Sequence, residues 1–77
     1  MDFWLDGLRP GMEAEVTRVC CPKALKKRLA DFGLVAGTKV AGGYRSPDGG
    51  VVALRLRGTT IALRRTDLHH IAARRLP

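Results

Sequence analysis

Two adjacent cysteines, Cys20 and Cys21, and two adjacent histidines, His69 and His70, are the side chains in this sequence best suited to hold a transition metal. The Cys21 thiol could alternatively serve as a nucleophile, with His69 as its base and Asp67 orienting the imidazole. Their spacing argues against a metal site. Structural zinc takes four protein ligands, usually with two to four residues between paired cysteines. Neighbours in a strand point to opposite faces, and neighbours in a helix stand about 100° apart, so neither pair chelates one ion by itself. A chain of 77 residues also leaves little room for a water-excluding catalytic pocket. No enzyme activity, no cofactor and no dedicated metal site are expected. Cys20, Cys21, His69 and His70 remain the set that a metal-sensing alternative would require.

The cations offer a different chemistry. Lys23, Lys26 and Lys27 follow one another at helical spacing, with Arg28 at the edge of the stripe and Asp31 its one acid. Arg55, Arg57 and Arg64 fall on the polar side of two alternating segments. Either group is explained by a solvated surface, or by a docking face for an acidic partner whose encounter such charges steer. The chain carries 14 Lys and Arg against 7 Asp and Glu, a net charge of +7. Residues 1–38 hold +1 of this and residues 39–77 hold +6. That imbalance suits an acidic protein, a nucleic acid or an anionic membrane face. A single-strand binder needs aromatic platforms, and Phe3, Trp4, Phe32 and Tyr44 are the whole supply. A small basic barrel that binds nucleic acid is therefore the alternative, and a protein partner the first reading.

The elements that must position these groups follow from periodicity. Leu8-Arg9-Pro10-Gly11 has Pro and Gly placed for a tight turn, and residues 13–19 alternate as a half-buried strand. Pro22 suits a first helical turn, and residues 23–32 form an amphipathic helix ending at Gly33. On it, Leu25, Leu29 and Phe32 share one face and the lysines the other. Residues 39–45 read as a strand with a bulge at Gly42-Gly43, and Ser46-Pro47-Asp48-Gly49-Gly50 as a turn. Residues 51–57 are the clearest strand, Gly58-Thr59 turns the chain, and Ile61 and Leu63 point inward from the next strand. Thr66 is placed to cap a helical turn through His69, and residues 71–73 form a last short strand. About five short strands with one inserted helix predict a mainly β fold, a small barrel whose closure removes exposed edges. The expected core is Val16, Leu25, Leu29, Phe32, Leu34, Val40, Val52, Leu54, Leu56, Ile61, Leu63, Leu68 and Ile71.

With 45% hydrophobic and 27% charged residues, the chain is too apolar for a disordered tail. Residues 1–77 fit a single domain, and no apolar run approaches the roughly 18 residues of a membrane span. Adjacent cysteines cannot staple a small secreted domain, and Asp2 and Asp6 stand where a secretory leader carries bases. A reduced, cytoplasmic protein is the expectation.

In this order and spacing the segments resemble the FeoA family of bacterial ferrous iron transport. The resemblance is carried by Leu8-Arg9-Pro10-Gly11, by Ala14-Glu15-Val16, and by the stretch from Leu25 through Phe32-Gly33-Leu34 to Gly37-Thr38. The turn at 46–50 and the segment 54–65 extend it over nearly the whole chain. It implies an SH3-like barrel with an inserted helix. It also implies an accessory role: binding and modulating FeoB, the permease whose cytoplasmic part is a GTPase domain. The same module resembles the C-terminal domain of diphtheria-toxin-repressor-type metalloregulators, whose winged-helix part has no counterpart here. Cys20-Cys21-Pro22, Phe32 in place of a frequent Leu, and His69-His70 depart from the family pattern.

Overall fold

A computed structural model describes residues 2–77. Six strands, β1 (Asp2–Trp4), β2 (Glu13–Val19), β3 (Lys39–Arg45), β4 (Val51–Leu56), β5 (Thr59–Arg64) and β6 (Ile71–Arg75), form one antiparallel sheet in the order β1-β6-β2-β3-β4-β5. Helix α1 (Lys23–Asp31) joins β2 to β3, the short α2 (Arg65–Leu68) joins β5 to β6, and a 3-10 turn at Leu5–Gly7 follows β1. The fold is the small, mainly β barrel that the pattern predicts, SH3-like as the family resemblance implies, with one strand more than expected. β1 and β5 do not pair with each other, so the sheet wraps without a closed ring of hydrogen bonds. Its ends meet instead where the 3-10 turn packs on α2.

Helix α1 ends at a glycine cap. Gly33 takes φ +92°, the Leu34 N–H donates to the Leu29 carbonyl (2.9 Å) and the Gly33 N–H to the Ala30 carbonyl (2.9 Å). This is the paired capping pattern in which the residue after the glycine packs back on the last turn. Leu29 and Leu34 are accordingly buried, whereas Phe32, at the cap itself, is 45% exposed. Assigning Phe32 to the core continues the helical period one residue too far; Leu34 fills that place. The Thr38 hydroxyl, buried beneath, donates to the Gly33 carbonyl at 2.7 Å and ties the connection to the helix end.

The Arg9-Pro10-Gly11-Met12 turn closes by a Met12 N–H to Arg9 carbonyl bond of 3.0 Å, with Gly11 at φ +81° as a type II turn requires. It crosses directly over β3. A Cβ on Gly42 would overlap the Arg9 carbonyl oxygen, and the Gly42 N–H and carbonyl bond Met12 and Gly11 at 2.8 and 3.0 Å. The β3–β4 register shifts between Gly42 and Arg45, so the expected bulge is present and its cause is this crossing. The Arg45 guanidinium then reaches back to the Asp6 and Leu8 carbonyls at 2.6 and 3.0 Å, which fixes the 3-10 turn against β3.

The core gathers Val16, Leu29, Leu34, Val40, Val52, Leu54, Leu56, Leu68 and Ile71 as expected, and adds Leu5, Leu8, Ala14 and Ala73. Leu25, Ile61 and Leu63 are half-buried against it; β5 is an edge strand and covers its side chains incompletely. Two turn readings are corrected. The β4–β5 hairpin turns on Arg57-Gly58 rather than Gly58-Thr59, because Thr59 already pairs with Leu56. Thr66 lies inside α2, whose cap residue is Arg64 and makes no side-chain capping bond.

Candidate docking surface

The metal and nucleophile sets do not assemble. Cys20 is exposed at the end of β2, while Cys21 packs against the core. The Cys20 N–H donates to the His70 carbonyl (2.7 Å), a backbone link that leaves both side chains free. His69 turns the other way: its Nδ1 lies 3.1 Å from Asp6 Oδ2, and its ring centroid 5.4 Å from that of Trp4. Asp6 rather than Asp67 therefore orients His69, in a contact that helps join the sheet ends. Among the described residues, no group of three or more His, Cys, Asp or Glu side chains converges on one point.

Lys23, Lys26, Lys27 and Arg28 all stand exposed on α1; Lys23 and Lys27 face away from the buried Leu29, and Lys26, three residues before it, flanks it. The first turn of α1 contains no acid and begins with Lys23, although the helix dipole favours anions there. Helix stability does not account for these lysines. Lys26 also lines a hollow of about 230 Å³ with Arg18, Val19, Leu34 and Val35.

The three arginines do not form one cluster, although Arg55 and Arg64 lie on the same face of the hairpin. Arg55 pairs with Thr60 and Arg64 with Val51, which puts them at opposite ends of the β4–β5 hairpin, about 13 Å apart at ~3.3 Å per residue. Arg57 has left the strand for the turn, with φ +51°, and is the one non-glycine residue in the left-handed region among the described residues. Its side chain lies over Gly33, where an added Cβ would come 3.5 Å from both Cδ and Cζ of Arg57. The partial negative charge at the end of α1 favours a guanidinium there.

Lys39 joins this corner, although nothing in its sequence neighbourhood marks it. The register that pairs Ala41 with Arg55 carries Lys39 towards Arg57, and the two side chains line the same hollow of about 460 Å³ with Val35, Ala36 and Gly37. Glu15 is the cross-strand partner of Lys39, yet its carboxylate is taken by Arg74 at 2.6 Å. Among the described residues Arg74 is the one Lys or Arg in an ion pair. The surface therefore carries its positive charge uncompensated, and exposes Phe32 and Val35 (39%) within it. Trp4, Tyr44 and Val51 are exposed as well. Among the described residues no helix is long and apolar enough to cross a membrane.

The FeoA domain family model matches residues 4–75. The solution structure of the FeoA protein from Chlorobium tepidum is 32% identical, with a TM-score of 0.90 over 97% of this chain and 71% of its own. An FeoA-like protein from Clostridium acetobutylicum is 25% identical, with a TM-score of 0.89 over 99% of this chain and 88% of its own. A manganese-dependent transcriptional repressor shares the fold at 17% identity, with a TM-score of 0.87, and this chain, matched over 97% of its length, spans 42% of that protein. No match is found among curated proteins.

Proposed function

The chain belongs to the FeoA family, accessory proteins of ferrous iron transport, and from that premise we propose that it is a cytoplasmic, non-enzymatic adaptor that binds the GTPase domain of FeoB. The observation that supports this reading is the uncompensated positive surface: 14 Lys and Arg, with Arg74 alone in an ion pair among the described residues. Charge of this kind steers encounter with an acidic surface and sets orientation, and it acts mainly on the association rate. The compact core supplies a rigid carrier for it.

The test is a titration of the full chain into the cytoplasmic domain of the FeoB from the same organism, at low and physiological salt, with duplex DNA as the control. Saturable binding that weakens with salt and is absent for DNA is the expected result. Charge reversal at Lys26 and Lys27 is expected to slow association. Binding indifferent to both salt and these reversals would overturn the electrostatic mechanism. Binding to DNA alone would replace the adaptor with a phosphate-binding barrel.

A further inference from the structure

The hollow lined by Lys39 and Arg57 and the hollow lined by Arg18 and Lys26 share two residues, Val35 and Ala36. The chain between α1 and β3 thus forms an exposed apolar ridge with a basic hollow on either side. The four cations come from four places: Arg18 from β2, Lys26 from α1, Lys39 from β3 and Arg57 from the hairpin turn. All four are exposed, and none has an ion-pair partner among the described residues. Glu15 is held by Arg74 and no acid lines either hollow; Glu13, which shares an adjoining hollow with Lys39 and Arg57, makes no ion pair among the described residues.

The ridge is held rigidly. The Gly37 N–H donates to the Val16 carbonyl at 2.7 Å, and the Thr38 carbonyl accepts from the Val16 N–H at 2.8 Å, so the end of the loop that enters β3 is pinned to β2. The Thr38 N–H and the Val35 carbonyl close it at 3.0 Å. Arg57 reaches its place from a left-handed backbone that costs an arginine energy, and backbone strain of this sort gathers at functional positions.

We infer that this ridge docks an acidic amphipathic helix of the partner protein, its apolar stripe lying on Val35 and Ala36 and the carboxylates beside that stripe entering the two hollows. A helix with its side chains is about 10–12 Å across and presents just this sequence of charge, apolar stripe and charge around its surface. The alternatives fit less well. A single-stranded nucleic acid would want an aromatic platform, and neither hollow contains a ring. A bilayer would want a larger apolar face than one Val and one Ala supply. The inference rests on the adaptor reading and narrows it. Of the six cations that the sequence singles out, Lys26 and Arg57 belong to the site and Lys23, Lys27, Arg55 and Arg64 lie outside it, whereas Arg18 and Lys39 enter it.

Two double charge reversals on the full chain separate the possibilities, because both change the net charge equally. K39E/R57E strikes one hollow; K23E/K27E strikes the helix outside both. Binding of each to the FeoB GTPase domain is measured beside the unmodified chain, with methyl NMR shifts of Val35 and Ala36 followed through the titration. The expected outcome is a loss of affinity of at least about tenfold for K39E/R57E and under about threefold for K23E/K27E, with the Val35 and Ala36 methyls shifted. A conservative V35A variant, which leaves all charges in place, is expected to weaken binding as well. If both reversals weaken binding equally and the methyls stay unmoved, net charge alone drives association and the ridge is not the site. If the unmodified chain does not bind the domain at all, the adaptor reading itself fails. Retention on anionic vesicles or DNA that is lost in both double variants would reassign the cations to phosphate.

Discussion

Replacing Arg57 by Asn is expected to stabilise the fold while weakening partner binding. Arg57 and Gly58 both have positive φ, +51° and +76°, as the two central residues of a type I′ hairpin turn require. Gly58 meets that requirement at no steric cost, but a left-handed backbone costs an ordinary residue about 1–2 kcal/mol, and Asn much less. Asn-Gly is also the preferred pair for this turn. Against the relief stands the guanidinium over Gly33, at the end of α1, where an exposed cation contributes about 0.3–1 kcal/mol at low salt. The net gain is then about 0.5–1 kcal/mol, or roughly 3–6 °C in Tm for a chain of this size. Salt screens the helix-end attraction and leaves the backbone relief untouched, so the gain is expected to grow between 0.05 and about 0.5 M salt. Thermal unfolding of both proteins at the two salt concentrations measures this directly. A lower Tm for R57N at both concentrations would refute the reasoning, since it would mean that Arg57 is held there by packing stronger than its strain.

Gly42→Ala places a methyl group into the Arg9 carbonyl, and neither chain can move without losing the Gly11–Gly42 and Gly42–Met12 bonds; a loss of about 3 kcal/mol or more is expected by urea unfolding. Leu68→Ala, at a fully buried position, is expected to cost about 2–5 kcal/mol, whereas Phe32→Ala, at 45% exposure, is expected to cost under about 1.5 kcal/mol in the same assay. Reversal of that order would restore Phe32 to the core. The Asp48 carboxyl is held below its ordinary value of 3.8, first by the Ser46 hydroxyl at 2.6 Å and then by the Gly50 N–H at 2.9 Å. A depressed carboxylate adds stability above its ordinary value and loses it as pH falls through the lowered one. The stability difference between the native chain and Asp48→Ala is therefore expected to be level at neutral pH and to shrink below about pH 3.8. A difference that stays constant to pH 2 would contradict it.

Most of the architecture was legible because its causes are local. The alternation of residues 13–19 and the helix-ending glycine at Gly33 act within a few residues, and β2 and β3 span the ranges read from the pattern. What stayed hidden depends on partners far away in the chain. β1 has three residues, too few to show a period, and exists because β6 lies beside it. Leu5 and Leu8 flank a short turn with no period of its own, and they are fully buried in the core, where Arg45 bonds the Asp6 and Leu8 carbonyls from across the chain. Phe32 failed for the opposite reason. The helical period runs on across a cap whose geometry hands the inward position to Leu34.

The docking surface divides along the same line. Residue type alone marks Lys26 and Arg57 as candidates, and charge counting gives the basic second half. Grouping them correctly needs two long-range facts. The β3–β4 register brings Lys39 beside a hairpin turn, and the Glu15–Arg74 pair removes the acid that would otherwise neutralise it. The Glu15 carboxylate lies across the strand from Lys39, but its charge is balanced by the Arg74 guanidinium at 2.6 Å. Disrupting that pair therefore acts on the surface at a distance. Arg74→Gln frees Glu15 to approach Lys39, and association with an acidic partner should slow although residue 74 touches neither hollow. Arg74→Lys keeps an ammonium beside Glu15 and should leave the association rate near that of the native chain. Stopped-flow association rates for the two variants decide the matter. Equal slowing in both would show that Glu15 never competes for Lys39, and that the positive corner owes its strength to the arginine turn alone.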